Sequence, residues 1–272
     1  MNYYEFEKRI KSDKTNLFSL GKSTLGKDIW ACHIGKETGS QVLVQAGIHA
    51  REYVTCLLAE KEARNLQGEH LPFGVIFVFC ANPDGVNVVL DGFSALREEE
   101  RKFCEEKNFN HKLFKANANL VDLNTNFNAL WGQGKSNRFS PYFESYVGEN
   151  AESEVETQIL RDFTLFVRPK LTLSYHTKGE VIYFGFDTQN QTSLERDEKI
   201  GRKISQSLGF QLERSFGSCG GFKDWACDKL DIPSYTIEFG DDKLSHPLGE
   251  EVLETLEEQS QNLFKTIEEF LK

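Results

Sequence analysis

With 272 residues the chain can bury one sizeable core, and we expect a single α/β domain spanning residues 1–272. It carries 32 Lys and Arg against 42 Asp and Glu, a formal net charge of −10, with the basic residues scattered along the chain. A surface of that sign repels phosphate backbones and anionic lipid, which argues against nucleic-acid and membrane partners.

The N-terminal stretch "MNYYEFEKRIKSDK" lacks the apolar core of a signal peptide, and no uncharged run approaches the roughly 20 apolar residues a bilayer needs. The expectation is a soluble, cytoplasmic protein whose six cysteines are reduced and packed as small apolar side chains. Cys32, Cys56, Cys80 and Cys104 recur every 24 residues, but their surroundings share nothing, so no repeat is read from them. The absence of a CxxC pair argues against a thiolate zinc cluster.

Taken in chain order, "SLGKSTLGKDIWACHIGK" predicts a short hairpin before residue 40, with glycine turns around alternating apolar positions. "QVLVQAGI" and "FGVIFVFCANPDG" predict buried strands that end in turn residues. Between them "REYVTCLLAEKEARNLQG" places Val54, Leu57 and Leu58 at helical spacing and stops at Gly68, so strand, helix and strand form a parallel-sheet unit. From Asp91 to Val147 the chain is polar and irregular beyond "REEERKFCEEK", yet its aromatic residues argue for order and a functional role. A helix follows near "SEVETQILRDFTLFV", with Ser153 as its expected cap, then strands "KLTLSYH" and "EVIYFGF". A helix at "RDEKIGRKISQSLG", a strand at "SYTIEFG" and a final helix from about Glu250, apolar along one side, complete the chain.

Three ionisable groups stand at three predicted strand ends, where open α/β sheets put their sites. His49 and Glu52, at i and i+3 across a strand-to-helix turn, can aim an imidazole and a carboxylate at one ion; equally, they fit a surface histidine and a helix-start glutamate. His176 closes "KLTLSYH", and two His with one carboxylate leave an open zinc position for water, the catalytic arrangement. Glu238 lies in an otherwise apolar strand, so its carboxylate must be paired, solvated in a cleft, or used as a base.

"GIHAREY", "ANPDG", "KANANLVDLNTNF", "LSYHTKGEVIYFGF", "GGFKDW" and "YTIEFGD" occur in the order found in zinc carboxypeptidases of the carboxypeptidase A type, which the chain resembles from about Gly21 onward. The resemblance implies a mixed, twisted sheet of about eight strands flanked by helices, with one zinc ion per chain. It implies His49, Glu52 and His176 as zinc ligands and Glu238 as general base. It also implies Lys115 as the partner of the oxyanion, with Arg51 as the second candidate.

The departures are informative. Carboxypeptidases proper have Asn-Arg where this chain has Asn124 and Thr125, and an Arg fork is what grips a terminal carboxylate with two hydrogen bonds. Phe216 stands at the position of a substrate-capping Tyr. These features and "YVGENAESEVET" resemble bacterial γ-D-glutamyl-diaminopimelate peptidases, which cut the stem peptide of peptidoglycan. In that reading Lys223 pairs with a substrate carboxylate, and Asn117, Asn119 and Asn126 are further polar candidates. The substrate partner is thus a wall-derived peptide. The alternatives are a zinc carboxypeptidase on ordinary peptides, a zinc deacylase of N-acyl amino acids, and an inactive binding module. Cys219 and Cys227 are assigned to packing.

Overall fold

The computed structural model describes residues 1–12 and 16–271. Asp13 and Lys14, the last residues of the N-terminal stretch discussed above, lie outside that description. One eight-stranded mixed sheet organises the chain. Strands β1 (Leu17–Lys22) and β2 (Asp28–Gly35) form the expected antiparallel hairpin. Its turn closes with the Ser23 N–H donating to Lys27 O at 2.8 Å. Strand β3 (Gln41–Ala46), helix α2 (Val54–Leu66) and strand β4 (Gly74–Val78) then form the expected unit, with β3 and β4 parallel.

Strand β5 (Leu171–Thr177) pairs in parallel with β3, and β8 (Ser234–Phe239) pairs in parallel with β5. Strand β6 (Val181–Phe184) runs antiparallel to β8, and β7 (Gln211–Arg214) closes the far edge, giving the order β1-β2-β4-β3-β5-β8-β6-β7. The inner strands β3, β4 and β5 are buried along their whole length, because both sheet faces are covered. Their side chains alternate between two cores. Val42, Val44, Val75 and Phe77 enter the first, with α2 residues Leu57 and Leu58, and with Leu256, Leu263 and Ile267 from the C-terminal segment. Leu43, Ile76 and Val78 enter the second, with Leu123, Phe127, Leu160, Phe222 and Trp225.

Several elements differ from expectation for local reasons. Helix α1 (Tyr3–Lys11), given no element in the sequence reading, starts with a reciprocal cap between Asn2 and Glu5. "ANPDG" opens helix α3 (Pro83–Asp91) rather than merely ending a strand: Asn82 accepts from the Gly85 N–H, and Pro83 occupies the first turn, where a missing N–H costs nothing. Helix α4 (Glu98–Glu106) is the one long periodic element seen in the middle stretch. Helix α5 (Val155–Val167) has Glu154 at its N-cap; Ser153 instead donates to Glu154 Oε1 at 2.7 Å, so it is not the cap. Helix α6 (Gln191–Leu208) begins earlier than its apolar pattern suggested because Asn190 caps it. "GGFKDW", given no secondary structure above, starts helix α7 (Phe222–Leu230). The final helix is split into α8 (Leu253–Ser260) and α9 (Leu263–Glu268), yet its apolar side packs on the first core as expected. Among the described residues, no helix is long and apolar enough to cross a membrane.

One buried carboxyl makes stability depend on pH. Glu62 of α2 is 5% exposed and accepts from the Tyr175 hydroxyl at 2.8 Å, and burial pushes its pKa up to about 8 from 4.5. A raised folded pKa contributes stability fully below the unfolded value, and that contribution is lost as pH rises through about 8. Glu62→Gln removes the titration. At pH 9 the variant is expected to unfold roughly 5 °C above the parent, and at pH 5 to gain nothing, in paired thermal melts.

Candidate metal and catalytic centre

Three strand ends deliver the reactive groups to one sheet edge. After β3 the chain turns at Gly47, whose φ is +63°, and a Cβ there would sit 2.3 Å from Cys56 Sγ. Only glycine fits this turn. The Gly47 N–H donates to Thr55 Oγ1 at 3.1 Å, and that hydroxyl donates to Glu52 O at 2.8 Å, which fixes the loop carrying His49. Asn82 Nδ2 reaches Ile48 O at 3.2 Å and Ala116 O at 3.0 Å, so the cap of α3 also ties the Lys115 segment to this loop.

His49 Nδ1 lies 2.9 Å from Glu52 Oε1, and His176 Nδ1 lies 2.9 Å from Glu52 Oε2. The two Nδ1 atoms are 3.1 Å apart. All three residues are buried, and one ligand atom from each falls within 4.8 Å of the others. Burial opposes ionisation of Glu52, but the two imidazoles outweigh it and hold the carboxyl well below the usual range. Two nitrogens and a carboxylate converging in this way form the donor set of a catalytic zinc site. The residues fit that ion.

Asp122, which the sequence reading passed over, completes the surroundings. Its Oδ1 is 3.4 Å from His49 Nε2, and it accepts the backbone N–H groups of Asn124 at 3.1 Å and Ser145 at 3.0 Å. Burial opposes its ionisation as well, yet His49 and Lys115 keep its carboxyl below the usual range. A carboxylate behind a ligating imidazole sets which nitrogen faces the metal. The available signal was its place two residues before Asn124 in a segment already singled out.

Glu238 pairs in register with His176 across β5 and β8. Burial pushes its carboxyl up to about 7, with His176, Lys115 and Arg51 pulling the other way and Glu52 adding to the rise. A carboxyl poised near neutrality suits proton transfer. Lys115 Nζ stands 4.0 Å from Asp122 Oδ2. Arg51 Nη1 is 3.5 Å from both Leu113 O and Glu144 Oε2, and its Nε is buried without a partner among the described residues.

A family model described as zinc carboxypeptidase matches residues 3–262. The chain belongs to the zinc carboxypeptidase family. Its metal is zinc, in keeping with the donor set above. The chain is 28% identical over 269 residues to gamma-D-glutamyl-L-diamino acid endopeptidase 1 of Lysinibacillus sphaericus, covering 90% of this chain and 65% of that protein. It therefore spans just under two thirds of that relative's length. It is 28% identical over 231 residues to murein peptide amidase A of Escherichia coli strain K12, covering 80% of this chain and 79% of the relative. Among solved structures, bovine thrombin-activatable fibrinolysis inhibitor in complex with tick carboxypeptidase inhibitor shares the fold, with a TM-score of 0.80 at 18% identity, covering 100% of this chain and 97% of that one.

Of the remaining residues singled out in the sequence, several have internal partners. Asn124 sits in a 3₁₀ turn (Leu123–Thr125), and its Oδ1 accepts from the Phe222 N–H at 3.1 Å. Thr125 does not offer its hydroxyl outward: Oγ1 donates to Asp122 O at 2.8 Å and reaches Tyr146 O at 3.3 Å. Lys223 departs further from its expected role. The first turn of α7 points it inward, 5% exposed, where Nζ donates to Gly185 O at 2.6 Å and contacts Asp224 Oδ1 at 2.6 Å. An ammonium held by two internal partners is not poised for a substrate carboxylate. Phe216 is 72% exposed, with the Arg214 guanidinium 4.9 Å from its ring centre. Asn117, Asn119 and Asn126 bond to Glu154 and to their own loops. Cys219 and Cys227 are buried, and burial pushes the Cys227 thiol up to about 12, which suits packing.

Proposed function

We propose that the protein acts as one domain, a zinc-dependent peptidase that hydrolyses the γ-D-glutamyl to diaminopimelate bond of peptidoglycan stem peptides. The observation that carries the substrate choice is Thr125. In place of a guanidinium fork the turn has a hydroxyl already bonded to two backbone carbonyls, so it lacks the grip for an ordinary peptide's terminal carboxylate. Two relatives whose names specify a gamma-D-glutamyl-diamino acid bond and a murein peptide support the same choice. A cytoplasmic role in recycling wall peptides belongs to this proposal.

His49, Glu52 and His176 would hold the zinc, which supplies Lewis acidity toward the scissile carbonyl and makes a water easier to deprotonate. Glu238 accepts the proton of the attacking water. As the C–N bond breaks, the same carboxyl returns that proton to the leaving amine. Lys115 places positive charge beside the developing oxyanion, with Arg51 as its alternate. Asn124, its Oδ1 held by the Phe222 N–H, is assigned to the leaving residue through its amide N–H groups, and the exposed Phe216 is assigned to the same side.

Incubating zinc-loaded protein with L-Ala-γ-D-Glu-diaminopimelate and reading products by mass spectrometry tests the reading. Release of free diaminopimelate and L-Ala-D-Glu is expected. An intact tripeptide, with cleavage of an ordinary C-terminal residue or of an N-acyl amino acid instead, overturns the assignment.

A further inference from the structure

The sheet separates two faces, and the catalytic edge runs between them. The Asn124 turn and α7 belong to the second face, where Leu123, Phe222 and Trp225 share a core. From the first face a different segment approaches, the stretch that leaves β8 and runs to a 3₁₀ turn at Glu250–Val252. It is pinned at three points. The Gly179 N–H donates to Gly240 O at 2.8 Å, Lys178 Nζ donates to Asp242 Oδ1 at 2.9 Å, and Leu248 is buried in the first core.

Between these pins stands His246. Its imidazole is half-buried, and Nδ1 is buried with no hydrogen-bond partner among the described residues. A buried polar atom without a partner costs free energy unless a ligand or water completes it. The charged groups whose fields reach it are Glu52, Arg51, Lys178 and Lys115. Burial, more than those charges, pushes its pKa down to about 4, so the ring is neutral at pH 7. Each of these cations has a carboxylate beside it, Glu144 at Arg51, Asp122 at Lys115 and Asp242 at Lys178. A neutral imidazole carries its proton on one nitrogen or the other, and with the proton on Nδ1 it offers an unused N–H that an anionic group can accept.

In the pose considered, the leaving residue lies at the Asn124 turn on the second face, and the acyl-side residue extends toward the first-face segment that carries His246. In a γ-D-glutamyl peptide that residue carries a free α-carboxylate only a few bonds from the scissile carbonyl. We propose that His246 is a specificity-determining residue that donates through Nδ1 to the α-carboxylate of the D-glutamyl residue. This rests on the function proposed above and adds the acyl-side contact that selects a γ-linked substrate.

The test compares L-Ala-γ-D-Glu-diaminopimelate with the same tripeptide carrying an α-amide on its D-glutamyl residue. For the parent, amidation is expected to raise KM about tenfold or more, the usual weight of a hydrogen bond to a charged group. In His246→Ala, KM for the acid form should rise by the same factor, amidation should add almost nothing, and kcat and zinc content should stay near the parent's. His246→Asn, whose amide N–H lies near the position of Nδ1, should recover part of the loss. Calorimetric binding of the uncut acid tripeptide in the Glu238→Gln background should weaken about tenfold when His246→Ala is added. Equal KM for both tripeptides with the parent, or an undiminished amidation effect in His246→Ala, overturns the inference. A parent that binds zinc but leaves both tripeptides intact overturns the underlying function, and this inference with it.

Discussion

Replacing Glu238 by Gln is expected to lower kcat on the tripeptide by about 10³-fold while leaving zinc content unchanged. The two effects separate because of where the carboxyl stands. It lies beside His176 in the sheet register but outside the group of converging ligand atoms formed by His49, Glu52 and His176. Glutamine keeps the volume and a carbonyl acceptor and removes the group that takes a proton. Burial, which lifts the Glu238 carboxyl to about 7, makes the loss large, since a base near neutrality holds a proton well enough to deliver it to the leaving amine. Turnover in E238Q within tenfold of the parent removes Glu238 from its assigned role. Loss of zinc in the same variant would instead make it part of the metal's support.

Withdrawing zinc with a chelator should abolish hydrolysis and lower the unfolding temperature by roughly 10 °C, with both restored on adding zinc back. Binding to the folded chain alone stabilises it by about 4 kcal/mol when free zinc is a thousandfold above its dissociation constant. The structure explains why the folded chain is favoured. Glu52 bridges two imidazoles at 2.9 Å each, and the ligands come from segments far apart in sequence, so the unfolded chain has no comparable site. An unchanged melting temperature, with hydrolysis intact after exhaustive chelation, would contradict the assigned metal centre.

Much of this centre was legible in the residues themselves. His49 and Glu52 stand just past a largely apolar strand, His176 ends another, and Glu238 interrupts a third, so each was conspicuous against its own segment. The hairpin, the β3–α2–β4 unit and the apolar side of the C-terminal segment were read correctly because side-chain periodicity and turn chemistry act over a few residues. The start of α3 was misread for the same local reason: Asn, Pro, Asp and Gly serve a turn and a helix start equally well.

By itself, then, the sequence determined the strand ends, the residue types that meet there and the missing guanidinium at Thr125. Tertiary structure alone decided which of those groups meet. Strand order brings β5 between β3 and β8, and so sets His176 beside both Glu52 and Glu238. A loop from elsewhere in the chain places Asp122 behind His49. The same packing turned Lys223 inward at the start of α7, onto Gly185 O and Asp224, and left His246 Nδ1 without a hydrogen-bond partner among the described residues. Local preferences act through neighbours along the chain. The contacts that give a buried charge its partner, or deny one, depend on the burial of segments far apart in sequence, and that is set only when the sheet assembles.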